Sequence, residues 1–297
     1  MRAPVNARRQ RGFTLVEAVM VIVIVGVIGG MVAVFIQAPV QSYADSLERA
    51  ELTDTADLAL RRIARDLRLA LPNSIRVTPA GDALEMLVTR TGGRYLSAED
   101  SVDVVPVLDF VDPSNVKLTV VGQMPGPGQL TPGSDYLVVN NLGPDFPPAN
   151  AYDYASPQRN IAKVVLVDVA HNLIMLADNP FAAQLPPSPS PSQRFHIVSG
   201  PVTYYCGLEA DGTTRLLTRQ SGYGIKAAQA ANPVPAGAAA GGTRSLLAGR
   251  VRKCEFHYQA LDSQRRSGLV ILVLELQARN GSGVVRLVHQ VHVDNTP

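Results

Sequence analysis

The apolar positions of the N-terminal third follow two different rules. From Ala18 to Ile36 no charged residue interrupts the chain, and these 19 residues, rising 1.5 Å each as a helix, extend about 29 Å, near the hydrocarbon thickness of a bilayer. From Ala56 onward the rule is a stripe instead. Ala56, Leu60, Ile63, Leu67 and Leu71 recur every three or four residues, the spacing of one helix face. Asp57 and Arg61 form a favourable i, i+4 pair away from that stripe, while Arg62 and Asp66 form the weaker, reversed order. Pro72 pushes residue 71 out of the α region. The pattern therefore predicts one helix from Phe13 to Leu71, apolar all round in its first half and amphipathic in its second. Pro39 lies inside it and predicts a kink, since proline removes a backbone hydrogen bond. The stripe of the second half requires a folded domain to cover it.

Beyond Pro72 the period shortens to that of strands. Leu84–Val88, Val116–Val120, Tyr136–Val139 and Lys163–Val167 are short, β-branched runs bounded by turn residues. Leu269–Ala278 and Val284–Val293 flank Asn280-Gly281-Ser282-Gly283, a hairpin signal. Stretches 125–133, 185–191 and 227–242 are rich in Pro, Gly or Ala and read as loops. The expected fold class is α+β: a long N-terminal helix packed by its second half on a mainly antiparallel β-sheet. No internal repeat is present.

The charges that precede the apolar run change the picture. Residues 1–12 carry Arg2, Arg8, Arg9 and Arg11 and no acid. Arginines before a span hold its N-terminus in the cytoplasm and send the remainder outward. Glu17 stands at the mouth of the span, although a carboxylate at the centre of a membrane helix costs about 2.5–3.5 kcal/mol. Its presence calls for a partner. A secretory signal peptide is the alternative, with Gln37–Ala44 as its cleavage region, but that reading leaves Glu17 unexplained.

Arg11-Gly12-Phe13-Thr14-Leu15-Val16-Glu17 resembles the processing site of type IV pilin-like proteins. The resemblance implies that a prepilin peptidase cuts between Gly12 and Phe13, that the new N-terminal Phe13 is N-methylated, and that Glu17 pairs with a neighbouring subunit's terminal amine. It further implies a pilin fold and four parts: a cleaved leader at 1–12, a transmembrane and filament-core helix at 13–39, its amphipathic continuation at 40–71, and an exported β-rich domain at 72–297. The implied partners are the prepilin peptidase, other major and minor pilins, the inner-membrane assembly platform and inner-membrane lipid. Gly26 and Gly30 form a small-xxx-small spacing, which suits helix–helix packing and is also simply frequent in membrane helices.

Composition narrows the remainder. Pro and Gly number 22 and 24 with no Trp, which suits a loop-rich β domain. Without the leader's arginines the chain carries 23 basic and 25 acidic residues, a net charge of −2. That balance lacks the basic footprint of a nucleic-acid protein, leaving only a local group of Arg244, Arg250, Arg252 and Lys253. Cys206 and Cys254 lie in the exported part, where an even pair reads as one disulfide closing the loop 206–254.

Catalytic signatures are missing from the sequence. It has no phosphate loop, no nucleophile elbow and no zinc helix. His289 and His292, three apart on a strand, face opposite sides, so no shared metal is expected. Asp109–Asn115 offers oxygen ligands at a spacing that reads as a turn. No cofactor and no catalytic residue are assigned. In the C-terminal half, Pro201–Cys206, Ser221–Ile225, Cys254–Tyr258 and His289–Pro297 resemble the O-type minor pilins of mannose-sensitive haemagglutinin (MSHA) pilus biogenesis. That resemblance implies a structural subunit that initiates or caps a filament. The minor pseudopilins of type II secretion are the nearest alternative. A membrane-anchored periplasmic enzyme or binding protein is the alternative of another class, and a DNA-binding pilin is a third.

Overall fold

A computed structural model describes residues 12–101, 105–126, 128–208, 212–213, 215–229, 242–261, 266–279, 281 and 283–297. Residues 1–11 of the expected leader, most of the 227–242 loop, and Asn280 and Ser282 of the hairpin signal lie outside the described residues. The chain divides into two compact units, Met1–Glu51 and Leu52–Pro297. The single long helix, α1, spans Leu15–Arg68 and includes Pro39. In the first unit every described side chain from Gly12 to Ile36 is exposed, and α1 is long and apolar enough to cross a membrane.

In the second unit the stripe is covered. Leu52, Ala56, Ala59, Leu60, Ile63, Ala64 and Leu67 are buried in one core cluster. The described residues of this unit form twelve strands: β1 (Arg76–Val77), β2 (Ala83–Tyr95), β3 (Lys117–Val121), β4 (Tyr136–Val139), β5 (Ile161–Asp168), β6 (Leu173–Leu176), β7 (Arg194–Leu208), β8 (Arg215–Ser221), β9 (Thr243–Ala248), β10 (Val251–Ala260), β11 (Ser267–Gln277) and β12 (Val284–Asp294). All their pairings are antiparallel. One sheet has nine strands in the order β1-β2-β3-β6-β5-β4-β7-β8-β9, with β2 also paired to β7, and the other has the order β10-β11-β12. The β2–β7 pairing makes a closed circuit of β2, β3, β6, β5, β4 and β7. A second core of Tyr95, Leu118, Leu137, Ile174, Phe181 and Phe195 belongs to this circuit.

The helix stops three residues before the expected end because the chain changes hydrogen-bond partner. Leu69 and Ala70 N–H groups donate to Asp66 and Leu67 carbonyls in tighter i−3 turns, and Leu71 N–H donates across to Leu87 O at 2.7 Å. Thr89 N–H returns the bond to Leu69 O. Sheet contact therefore ends α1 before Pro72 is reached.

One buried charge ties helix to sheet. Asp66, 4% exposed, accepts from the Tyr204 hydroxyl at 2.7 Å and from Arg219 Nε at 2.8 Å. Tyr204 is on β7 and Arg219 on β8, so α1 is held by two adjacent strands. The Arg62–Asp66 pair expected from spacing is present at a looser 3.8 Å. Arg61 and Asp57 meet at 2.6 Å. A second tie is covalent: Cys206 of β7 and Cys254 of β10 are disulfide-bonded and join the two sheets. In the chain-entropy treatment, closing a loop of 48 residues restrains the unfolded chain by about 4 kcal/mol.

Two tests follow from these contacts. Asp66→Ala should lower stability by about 1–3 kcal/mol in urea denaturation of the detergent-solubilised protein, because the buried Tyr204 hydroxyl and the half-buried Arg219 lose their acceptor. The pair Asp66→Leu with Arg219→Leu should lose less than Asp66→Ala alone; equal losses would show that the charges do not act together. The second test is of pH. Burial of His196, with a smaller contribution from the Arg194 charge, holds its pKa below the ordinary 6.5, and its buried Nε2 has no hydrogen-bond partner among the described residues. The unfolded chain then binds this proton more tightly, so the stability is present above pH 6.5 and declines as pH falls below it. His196→Phe should flatten the decline in unfolding midpoint between pH 7.5 and 5.5. An unchanged decline would contradict the assignment.

Candidate functional site

The N-terminal motif is built around a helix start. Leu15 is the first helical residue, and Thr14 caps the helix: its hydroxyl accepts from Glu17 N–H at 3.3 Å, and its carbonyl from Ala18 N–H at 3.1 Å. Ser or Thr at this position satisfies a helix-end N–H that has no partner within the helix. Glu17 occupies the first turn, where a carboxylate is favoured by the helix dipole. The sequence spacing alone carries this signal, since Thr14-x-x-Glu17 is half of a capping box, and the membrane position of Glu17 does not reveal it. The cap accounts for a carboxylate near the helix start. Glu17 itself is exposed and has no side-chain partner among the described residues.

Gly12 and Phe13 precede the helix and are exposed, Phe13 at 72%. A Cβ placed on Gly12 would meet no atom within 4 Å, and its φ lies outside the left-handed region. The fold therefore makes no demand for glycine there. Gly26, Gly29 and Gly30 are equally open, flanked by exposed Val25, Val27 and Met31.

Residues 7–33 match the family model described as the prokaryotic N-terminal methylation motif. The motif is typical of type IV pilins and pseudopilins, which are generally non-enzymatic structural proteins, and it implies processing by a prepilin peptidase. With the long helix and antiparallel sheets, it makes this a type IV pilin-like protein. The motif and the apolar helix point to the inner membrane or a pilus. No curated protein and no solved structure matches the chain.

The other candidate chemistry disperses. Asp109 Oδ1 accepts the Val111 and Asp112 N–H groups at 2.7 and 3.0 Å, and Asp112 Oδ1 accepts from Ser114 N–H at 2.9 Å and Ser114 Oγ at 2.7 Å. The segment is a turn that uses its carboxylates on its own backbone. His289 and His292 sit three apart on β12, so alternation puts them on opposite faces. Arg244 is on β9, whereas Arg252 and Lys253 are on β10 of the other sheet, and Lys253 pairs with Glu255 at 2.8 Å. No group of three His, Cys, Asp or Glu suited to a metal occurs among the described residues.

Because the fold leaves Gly12 unconstrained, Gly12→Val should keep the β domain unchanged and still block cleavage at the peptidase. Immunoblots of membranes should show only the slower, unprocessed chain, with an unchanged unfolding midpoint. A normally processed Gly12→Val protein would show that the glycine is not read.

Proposed function

We propose that this chain is a minor pilin-like structural subunit of a type IV pilus of the MSHA type, which initiates or caps filament assembly. The observation that carries the reading is the methylation motif directly ahead of an uncovered apolar helix that continues into a folded β domain. The order of events is set by chemistry. Cleavage between Gly12 and Phe13 creates a new terminal amine, and methylation leaves that amine basic and cationic. The N-terminus is held in the cytoplasm and the β domain lies in the periplasm until the subunit enters a filament. There the apolar surface of residues 15–36 leaves lipid for the helices of other pilins. Glu17 then sits in a low-dielectric bundle and is neutralised by the Phe13 amine of another subunit. Either charge buried alone would cost several kcal/mol. The assembly platform and the other major and minor pilins are the partners this scheme requires, and the chain's only chemistry is as a substrate.

Glu17→Val tests the scheme. Valine is easier to place in lipid than glutamate, so membrane insertion, cleavage and the β domain should be unaffected. Surface pili should fall in number, and co-purification with other minor pilins should be lost. Full complementation of a deletion strain by Glu17→Val would overturn the pairing role.

A further inference from the structure

Strand β12 leaves one long sheet edge open. It pairs with β11 across its whole length, from Val284↔Gln277 to Asp294↔Ser267, and its other side has no strand among the described residues. The other sheet edges are short or covered. β1 has 2 residues and β9 has 6, and on β10 Phe256 N–H donates to Gly81 O at 2.8 Å. β12 has 11 residues without proline. Its outward Arg286 is drawn back to Glu275 of β11 at 3.3 Å. Natural edges usually carry proline, bulges or inward charges that prevent further pairing, and this one does not.

Beside that edge lies a cleft of about 720 Å³, lined by Asp57, Arg61, Ala64, Arg65, Arg68, Leu69 and His289. Five of these come from α1, Leu69 follows directly after it, and His289 is on β12. Three arginines face one aspartate, which Arg61 already holds. Arg65 and Arg68 are exposed and have no ion-pair or hydrogen-bond partner among the described residues. The helix-side residues of β12 record the gap: Val291 and Val293 are buried, whereas Val285, Leu287 and His289 are only half-buried. The core is incomplete where the cleft opens.

We propose that the β12 edge and this cleft form a docking site for an extended acidic segment of a partner protein, taken up as a fourth strand beside β12. Backbone N–H and C=O groups of β12 supply the pairing. Alternate side chains of the incoming strand point toward α1 and meet the arginines. Arg65 and Arg68, the two without a partner among the described residues, are about 4.5 Å apart along the helix, and their long side chains can span the roughly 6.7 Å between same-face residues of a strand. Strand addition of this kind draws affinity from the main chain and specificity from alternate side chains. A single-stranded nucleic acid also carries negative charge, but no aromatic residue lines the cleft to stack its bases. The site uses only residues from Asp57 onward, so it stands whether or not the chain joins a filament.

The test uses the full chain in detergent and fluorescence anisotropy with three probes as long as β12. One is a peptide of alternating threonine and glutamate, the second alternates proline and glutamate, and the third is oligothymidylate. The first should bind with salt-sensitive affinity, and the second, equally charged but unable to pair along its backbone, should bind at least about tenfold more weakly. Oligothymidylate should also be weaker by at least about tenfold. Arg65→Glu with Arg68→Glu, both at exposed positions, should abolish binding with an unchanged unfolding midpoint, and Arg65→Gln alone should weaken it. Equal binding of both peptides, tighter binding of oligothymidylate, an unaffected arginine variant, or no binding of the first peptide would each overturn the proposal.

Discussion

The stripe from Leu52 to Leu67 is the constraint on which the β domain rests. Its larger side chains, Leu52, Leu60, Ile63 and Leu67, are nearly fully buried, and each contributes roughly 1.5–3 kcal/mol relative to exposure. The cover comes from both sheets: Leu84 and Met86 of β2, Val202 and Tyr204 of β7, and Phe256, Val270, Leu272 and Leu274 of β10 and β11 share its cluster. A helix that is apolar all round in one half cannot obtain such cover from its own chain there. Its first half remains exposed from Leu15 to Ile36, the condition under which lipid or other helices must supply the apolar surroundings.

Polar contacts fix the register that apolar burial leaves loose. Leucines on a stripe tolerate sliding, but Asp66 has one place where both Tyr204 and Arg219 reach it. Burial and the adjacent Asp66 carboxylate push the Tyr204 hydroxyl well above the ordinary tyrosine range, so it remains a donor throughout the accessible pH range. The Cys206–Cys254 bond acts at a different level, joining β7 to β10 and so holding together two sheets that share the helix as their common core.

How far the sequence revealed this depended on locality. The helix, its stripe and the 57–61 and 62–66 pairs follow from a 3.6-residue period and were legible. So were β4, β5, β11 and β12, whose runs are apolar or alternating and bounded by turn residues. β2 was legible only to Val88. Its continuation to Tyr95 contains Arg90, Gly92, Gly93 and Arg94, poor strand formers placed there by pairing with β7. A Cβ on Gly93 would approach the Phe195 ring to 2.7 Å, so close cross-strand packing, which no local pattern records, calls for glycine. β7, the longest strand with 15 residues, was not anticipated, because Gly200 and Pro201 interrupt it at an irregular point of its pairing with β2. The Asp66 site was half visible: its partner Arg62 was readable at i−4, while Tyr204 and Arg219 lie 138 and 153 residues away. In the N-terminal motif the residue types are readable in full, and the Thr14 cap is encoded locally in the Thr14-x-x-Glu17 spacing.

Maturation between Gly12 and Phe13, followed by service as a subunit, is the step we propose on which function rests. Intact-mass analysis of the protein isolated from its native membrane should give a mass lower by residues 1–12 and higher by one methyl group, with fragmentation placing that group on the Phe13 amine. A mass corresponding to cleavage after Ala38 or Ala44, or to the uncut chain, would contradict it.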